Sequence, residues 1–345
     1  MGALGAVLRS TALLKALKKK HPFSRLVWVT ESPAQNLLLE NPLIDEVLLA
    51  SEVALHPLTS LTYSHAYSID KSLKAHRLVQ EFNTDKILGF RCDPISGGVL
   101  PASESARELW EIGLSDEKKF FKNSKTETQL IHEALELGPF LREEYLLRLS
   151  PTEQMVGQDR RRKWKDNRDQ ILIGMNVGCS STIPYKKLSE DAQRKFIDRV
   201  KELWGSRVQI VLLGGREDLD LANRIAKERD VILSPMNLGL RDGISSLFAC
   251  DIVVTGDSLG LHLGVALNKW VVAWFGPTCA HEIDLYDRGV KILSQVPCSP
   301  CWKRVCDRSI MCYDQVPLSD LIDGVEKGVK WKSLSSKQPF QETCS

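Results

Sequence analysis

The residues best suited to chemistry in this 345-residue chain lie in one short turn, Gly256-Asp257-Ser258. A β-branched run at 252–254 precedes the turn, and an apolar helical stretch at 262–267 follows it. Where a strand ends and a helix begins, the first backbone N–H groups of the helix have no partner within the helix. These groups bind anions, and the helix dipole favours negative charge there. The sequence therefore predicts an anion site at this turn, with Asp257 and His262 beside it.

Strands and helices alternate along the chain, and this alternation must position the turn. In the second half, strands are predicted at 171–177, 208–213, 231–233, 252–255 and 270–275, with helices at 190–204, 217–228, 242–249 and 260–267. In the first half, strands are predicted at 26–30, 46–49, 66–69 and 86–90, with helices at 7–19, 72–82, 104–113 and 127–137. Such alternation is typical of parallel sheets covered by helices on both faces. The predicted fold class is α/β with doubly wound sheets.

Length and charge limit the classes of protein that fit. A chain of 345 residues has about the length of two ordinary domains. We place them at 1–155 and 165–330, separated by a charged stretch and followed by a flexible tail at 331–345. The net charge of +2 gives no basic field, so no nucleic-acid partner is expected. No apolar run reaches the roughly 18 residues of a membrane span, and the N-terminus lacks the order of a secretory signal, so a cytoplasmic protein is expected.

The nine cysteines include a cluster with the spacing C-x2-C-x4-C-x5-C, at Cys298, Cys301, Cys306 and Cys312. In a reducing compartment this spacing favours a metal site or free thiols over disulfides. A structural zinc or iron is one interpretation, and Cys279 could complete the set if one of the four is not a ligand. Plain loop thiols and an adventitious disulfide are the alternatives.

The segment from Gly256 to Thr278 resembles the heptosyltransferase family, glycosyltransferase family 9. That family carries Asp-Thr/Ser-Gly-x-x-His, then an apolar helix and Phe-Gly-Pro-Thr. Here the pattern is supplied by Asp257, Ser258, Gly260, His262 and the corner at 275–278, with Leu259 where many members have glycine. Three further segments, 2–11, 176–188 and 213–217, resemble the family in order and spacing. The resemblance implies two Rossmann-like doubly wound domains facing a cleft, the GT-B architecture, with the acceptor on the first domain and the donor on the second.

The resemblance also implies the reaction, an inverting and metal-independent transfer of heptose or a similar sugar from an ADP-sugar to a lipopolysaccharide-core acceptor. It places Lys186 at the donor diphosphate, Glu217 at the ribose and Asp257 at the sugar. The full donor set is Ser181, Thr182, Lys186, Glu217, Leu238, Asp257, Ser258, Leu259, Gly260 and His262. Chemistry agrees, because a departing diphosphate needs positive charge and N–H donors, and no carboxylate pair for a divalent metal is evident. The plain alternatives are a solvated helix acid for Glu217 and a core histidine for His262.

The acceptor half departs from the family. Members have an aspartate after the second glycine of the first loop, and by resemblance it is the general base. This chain has Ala6 there, and a methyl group cannot accept a proton. We expect the acceptor near Gly5, Arg9, Asp70 and Lys74, and a helix-start acid is the plain alternative for Asp70. Basic residues on this domain suit a phosphorylated, lipid-linked sugar and peripheral contact with the inner membrane, although solvated lysines are the plain alternative.

Three other functions remain open from the sequence. A nucleotide-sugar-binding protein on the same fold, without catalysis, would explain Ala6, as would an altered or shortened form of an active enzyme. Asp70 could instead replace the missing base.

A protein heptosyltransferase is the second function, since some members modify adhesins and carry a cysteine-bound iron. A nucleotide-sugar epimerase, which shares this architecture, is the third.

Overall fold

The structure is a computed structural model that describes residues 2–93 and 95–335. The chain divides into two compact units, Met1–Arg148 with His281–Asp284, and Leu149–Ala280 with Leu285–Ser345. The division falls just before the charged stretch in which the sequence places the domain boundary. None of the helices in the described ranges is long and apolar enough to cross a membrane.

The first unit pairs short strands in parallel and covers them with helices. Its elements are α1 (Leu4–Ser10), α2 (Leu14–Lys20), β1 (Val27–Thr30), β2 (Glu46–Leu49), β3 (Thr62–Tyr63), β4 (Ala66–Ser68), α3 (Leu73–Gln80), β5 (Asn83–Thr84), β6 (Ile87–Cys92), β7 (Val99–Pro101), α4 (Arg107–Leu114) and α5 (Glu127–Ala134). β1 pairs with β2, β3 with β5 and β4 with β6 in parallel, while β7 is antiparallel to β6. Leu88, Phe90, Leu109 and Leu130 lie in its core.

The N-terminal segment differs from the prediction. By resemblance, residues 2–11 form a glycine-rich loop, but α1 begins at Leu4, so Gly5 and Ala6 are helical. The apolar side chains of this helix pack into the core, and Leu8 is fully buried. The predicted helix over 7–19 is also interrupted by a 3-10 turn at Thr11–Leu13. Just before and at this turn, the hydroxyls of Ser10 and Thr11 donate to backbone carbonyls of the preceding helical turn, a pattern that bends helices.

The second unit is one six-stranded parallel sheet with helices. Its elements are α6 (Pro151–Lys163), β8 (Ile171–Asn176), α7 (Glu190–Trp204), β9 (Val208–Leu213), α8 (Leu219–Ala226), β10 (Ile232–Leu233), α9 (Leu240–Ala249), β11 (Ile252–Gly256), α10 (Leu259–Ala266), β12 (Trp270–Phe275), β13 (Gly289–Leu293) and α11 (Leu318–Ser335). The strand order is β10-β9-β8-β11-β12-β13. Numbered within the unit this is 3-2-1-4-5-6, the order of the doubly wound nucleotide-binding fold. The predicted α/β class is confirmed.

The charged stretch after residue 150, where the sequence predicts a domain boundary, begins with a helix, α6. Ser150 and Glu153 form a capping box, with Pro151 in the first turn, which is a strong signal for a helix start. Two of its arginines bind acids of the same unit, Arg160 at Asp242 and Arg161 at Asp251, each at 2.8 Å. The charged residues of α6 therefore form a polar seam within the second unit, defined here by the ion pairs of Arg160 and Arg161 with Asp242 and Asp251.

Two C-terminal elements were not predicted, β13 and α11. Helix α11 packs closely on the sheet because Gly324 and Gly328 face it. A Cβ at Gly324 would lie 2.7 Å from Val290, and one at Gly328 would lie 2.5 Å from Trp270. The helix continues to Ser335, so the first residues of the predicted tail are helical, and the rest of that tail lies outside the described residues.

The carboxylate of Asp251 is the most highly bonded acid of this seam. It is 4% exposed and accepts from Arg161, from the Leu172 backbone at 3.1 Å and from Lys332 at 3.1 Å. We expect Asp251→Asn to lower the free energy of unfolding by about 1–3 kcal/mol, because charged hydrogen bonds are lost in a buried place. Denaturant unfolding measures this change. Asp191→Asn, at an exposed pair with Lys195, is the control and should cost less than about 1 kcal/mol; equal losses would contradict this role of Asp251.

Candidate functional site

The strand order of the second unit locates its ligand site. β8 and β11 are neighbours in the sheet although two strands separate them in the chain, so the order reverses between them. Ligands of open α/β sheets bind at the carboxyl ends of the strands at this switch point. β8 ends at Asn176 and β11 ends at Gly256. Asn176 Nδ2 donates to Ser258 Oγ at 3.1 Å, which joins the two strand ends.

A buried ion pair lies at this point. Lys186 Nζ is 2.9 Å from Asp257 Oδ2, and the two side chains are only 18% and 11% exposed. Burial by itself raises the pKa of Asp257, but the nearby charges of Lys186 and His262 outweigh it and lower the pKa below its ordinary value. Asp257 is therefore held as a carboxylate beside the lysine. His262, 5% exposed in the first turn of α10, belongs to the same group.

The turn that carries Asp257 is built by Ser258. Ser258 is the N-cap of α10, and its Oγ accepts from the Gly260 backbone at 3.3 Å. The same oxygen lies 3.1 Å from Thr255 Oγ1. The Ser258 hydroxyl thus serves the turn itself, and Leu259, the departure from the family pattern, is the first residue of α10. Thr255 and Asn176, which support Ser258, were not among the predicted residues.

A glycine lets the lysine segment approach the strand end. A Cβ at Gly256 would lie 1.8 Å from the carbonyl oxygen of Lys186. No other residue type fits there without moving one of the two backbones. The 3-10 turn Pro184–Lys186 is therefore packed against the end of β11, and this contact brings Lys186 to Asp257.

The turn after β9 contains two acids with different surroundings. Glu217, the predicted ribose ligand, is exposed, whereas Asp218 is buried and accepts from the Gly215 backbone at 3.0 Å. Burial raises the pKa of Asp218. A Cβ at Gly178 would lie 1.9 Å from Asp218, so the loops after β8 and β9 touch through this pair. Asp218 was not predicted, although Gly178 and Gly214, the glycines that face it from the two loops, were a signal of close approach.

The other predicted donor residues lie on exposed parts of the same edge. Ser181 and Thr182 are exposed in the loop after β8, where Ser180 Oγ donates to Thr182 Oγ1 at 3.2 Å. Leu238 is 61% exposed shortly before α9. None of the three contacts the Lys186–Asp257 pair among the hydrogen bonds and ion pairs of the described residues. Their predicted roles at the donor stay predictions.

One aromatic residue joins the ion pair without any prediction from the sequence. The Lys186 ammonium lies 5.5 Å from the ring centroid of Trp302, within the range of a cation–π contact. Trp302 belongs to the cysteine loop, defined here as residues 294–317 between β13 and α11. The contact could not be predicted, because Trp302 and Lys186 lie far apart in the sequence.

The four clustered cysteines line one small cavity of about 20 Å³, together with Tyr185 and Pro277. All four thiols are free, and burial, reinforced by the other three cysteines, raises the pKa of Cys312 to about 11. No three of these described sulfur atoms lie within 4.8 Å of one another. A tetrahedral metal with bonds of about 2.3 Å to sulfur would therefore require the loop to contract.

The predicted acceptor residues of the first unit are already engaged within that unit. Arg9 forms an ion pair with Glu127, and Lys74 forms one with Glu31. Asp70 accepts from the Ser72 backbone at 2.8 Å, just before α3. Ala6 lies in the first turn of α1, and its carbonyl accepts from Ser10 at 2.8 Å. An acceptor would have to exchange these contacts for its own.

The arrangement in the second unit can hold an anion. The Lys186 ammonium, the Asp257 carboxylate and the first turn of α10 lie together at the switch point. A bound phosphate would compete with Asp257 for Lys186 and would leave the carboxylate free to accept from hydroxyl groups. This is the donor pattern of a phosphate-linked, hydroxyl-rich ligand.

Comparison with known proteins agrees with this reading. The family model described as glycosyltransferase family 9 (heptosyltransferase) matches residues 151–311. A search of curated proteins gives no significant sequence match.

Solved structures share the fold over nearly the whole chain. A family 9 glycosyltransferase from Veillonella parvula is 16% identical, with 96% of this chain and 95% of that chain covered and a TM-score of 0.78. E. coli ADP-heptose lps heptosyltransferase II is 15% identical, with 96% and 98% covered and a TM-score of 0.68. The iron-containing dodecameric glycosyltransferase TibC from enterotoxigenic E. coli is 13% identical, with 94% and 74% covered and a TM-score of 0.55. At such identities the likeness is one of fold. The family match, which lies in the second half of the chain, and this shared fold together support the resemblance stated from the sequence, that to glycosyltransferase family 9, the heptosyltransferase family.

Proposed function

We propose that this glycosyltransferase takes heptose, or a similar sugar, from an ADP-sugar and transfers it with inversion to a lipopolysaccharide-core acceptor. The observation that carries the proposal is the buried Lys186–Asp257 pair at the switch point of the second unit. One relative of the same fold is described as an ADP-heptose lps heptosyltransferase, which supports this donor and this acceptor.

In the proposed mechanism the donor diphosphate takes Lys186 from Asp257. The ammonium and the N–H groups of α10 then stabilise the negative charge that grows on the departing ADP. Asp257, released from the lysine, accepts from hydroxyl groups of the sugar. Glu217, at the neighbouring strand end, is the proposed contact of the ribose.

The proposed transfer uses no divalent metal, because Lys186 supplies the positive charge at the leaving group. Attack of the acceptor hydroxyl on the face opposite to the diphosphate breaks the bond from the anomeric carbon to the phosphate oxygen. ADP leaves with the electron pair, and the configuration at that carbon inverts. Ala6 offers no base, so the hydroxyl proton passes to water in the proposed step, and transfer should be slow.

The proposed acceptor is an anionic, lipid-linked sugar that binds the first unit. Lys18, Lys19 and Lys20 end α2, and Lys74 lies on α3 of the same unit. Their charge suits phosphate groups at the inner face of a membrane. Peripheral contact with that membrane is part of the proposal.

A transfer assay tests the proposal. The chain is incubated with ADP-heptose and a deacylated lipid-core acceptor, ADP release is followed, and the anomeric configuration of the product is read by NMR. We expect slow, acceptor-dependent ADP release, an inverted product and no change with EDTA. Donor binding without any turnover would favour a non-catalytic binding protein, and failure to bind the donor would overturn the proposal.

We also propose that the cavity lined by Cys298, Cys301, Cys306 and Cys312 takes one zinc or iron ion with a structural role. Cysteine thiolates are the preferred ligands of both ions, and a cavity of about 20 Å³ has room for a single ion. Elemental analysis of the purified protein should find about one metal per chain, and Cys301→Ser with Cys306→Ser should remove it, while Cys92→Ser should not. A metal-free parent protein would contradict this site.

A further inference from the structure

We propose that the cysteine loop holds Lys186 in its donor-binding position and that Trp302 is the positioning residue through which it acts. This inference rests on the proposed donor role of Lys186. It assigns a positioning role at the donor site to a loop that comes after the Phe-Gly-Pro-Thr corner at 275–278.

The loop is fixed to the corner that follows β12. The backbone N–H groups of Cys301 and Trp302 both donate to the carbonyl of Pro277, at 3.1 and 2.8 Å. Ser299 Oγ donates to the carbonyl of Gly276. Cys312 packs against the same corner, since a Cβ at Gly276 would lie 2.8 Å from its sulfur. The corner is thus a rigid base for the loop.

From this base the loop reaches the turn that carries Lys186. The Cys306 backbone donates to the hydroxyl oxygen of Tyr185 at 3.1 Å. The rings of Tyr185 and Tyr313 stack with centroids 6.5 Å apart. The ring of Trp302 lies 5.5 Å from the Lys186 ammonium. The lysine turn is therefore held on one side by the strand end at Gly256 and on the other by the cysteine loop.

The backbone of Trp302 is in an unfavourable conformation. Its φ is 52°, in the left-handed region, where Cβ approaches the next carbonyl oxygen. Bulky side chains rarely adopt this conformation, and such residues cluster at functional sites. Here the conformation directs the indole towards the lysine, while the side chain stays 38% exposed.

Two consequences follow for the donor. The ring face attracts the ammonium without neutralising it, so Lys186 stays available to a diphosphate when it leaves Asp257. The ring also limits the directions that the flexible lysine side chain can take, which lowers the entropy lost when the donor binds. Loss of the ring should weaken donor binding more than the chemical step.

The first test measures Lys186 itself and needs no donor. The parent protein, Trp302→Leu, Trp302→Phe and Val305→Ala are acetylated briefly, and labelling of Lys186 relative to Lys187 is read by peptide mass spectrometry. We expect Trp302→Leu to raise Lys186 labelling about two- to fivefold, the effect of a cation–π contact. Trp302→Phe retains a ring and should stay near the parent. Val305, 79% exposed on the same loop, is the matched control and should change nothing.

The second test measures the donor. Trp302→Leu should raise the donor KM, or the ADP Kd, about two- to fivefold while kcat and the acceptor KM stay within twofold of the parent. Equal labelling of Lys186 in the parent and Trp302→Leu proteins would overturn the inference, as would a Trp302→Phe variant as impaired as Trp302→Leu. If the parent protein does not bind ADP, the proposed function fails, and the labelling pattern still decides whether Trp302 positions Lys186.

Discussion

Replacing Lys186 with methionine is expected to lower kcat/KM for sugar transfer about 10²- to 10³-fold, the usual effect of removing one group that stabilises developing negative charge. Methionine keeps most of the volume of the side chain and removes only the charge. The neighbouring Lys187 is the control, because it is not paired with Asp257. Lys187→Met should stay within about fivefold of the parent, as expected for a partly exposed charge. Steady-state kinetics with varied donor measure both.

The Lys186→Met variant has a second effect, on stability, which must be separated from the first. It leaves the Asp257 carboxylate buried without its main partner, which typically costs about 3–5 kcal/mol. The double variant Lys186→Met with Asp257→Asn removes the stranded charge and should recover most of that stability but none of the activity. Recovery of activity in the double variant would contradict the role of Lys186 at the diphosphate.

The pH dependence of this stability loss has a definite sign. In the parent protein the pKa of Asp257 lies below its ordinary value, so its contribution is present above the unfolded pKa and is lost as pH falls through the folded pKa. Without Lys186, burial acts with less opposition and the pKa of Asp257 rises. The protonated acid needs no cation, so the stability difference between parent and Lys186→Met should shrink as pH falls. Denaturant unfolding at neutral and acidic pH measures it.

The second large effect is expected at Ala6. Ala6→Asp should raise the rate of transfer about 10²- to 10⁴-fold, the usual contribution of a positioned general base. The fold should accept the change, because Ala6 lies in the first turn of α1, which has no acidic residue, and a negative charge there is favourable to the helix dipole. ADP release from ADP-heptose with acceptor present measures the rate.

A matched variant distinguishes a base from a general charge effect. Ala3→Asp places the same acid at the N-cap of α1, where the resemblance gives no base. It should leave the rate near that of the parent. Equal rates in the parent and Ala6→Asp proteins would contradict the role of this position, and equal gains in both variants would show that the charge alone matters.

The sequence predicted the second unit well because its strands are continuous β-branched runs. Buried on both faces, β9, β11 and β12 carry no polar residue that could blur the pattern, apart from Gln209 and Thr255. The strand-to-helix turn at Gly256-Asp257-Ser258 was predicted for the same reason. Strand order could not be read from the pattern, yet it determines that Asn176 and Ser258 meet.

Other features depended on partners that are distant in the chain. From the sequence, the arginines of α6 indicate only a charged domain boundary. Their partners, Asp242 and Asp251, could not be predicted because they lie far away in the chain. Trp302 reaches Lys186 only because the cysteine loop returns to the corner after β12. The helical start of α1 was not predicted, because its glycines resemble those of the family's loop. Burial of the apolar side chains stabilises a helix there instead.

Titration of ADP into the purified chain, followed by calorimetry, tests the central claim most directly, that the Lys186–Asp257 pair is a nucleotide-diphosphate site. The account predicts one ADP per chain and binding about ten- to a hundredfold weaker in Lys186→Met, the effect of losing a charged hydrogen bond. It also predicts binding near the parent value in Lys187→Met and in Ala6→Asp. No binding of ADP by the parent protein, or equal affinity in the parent and Lys186→Met proteins, would contradict it.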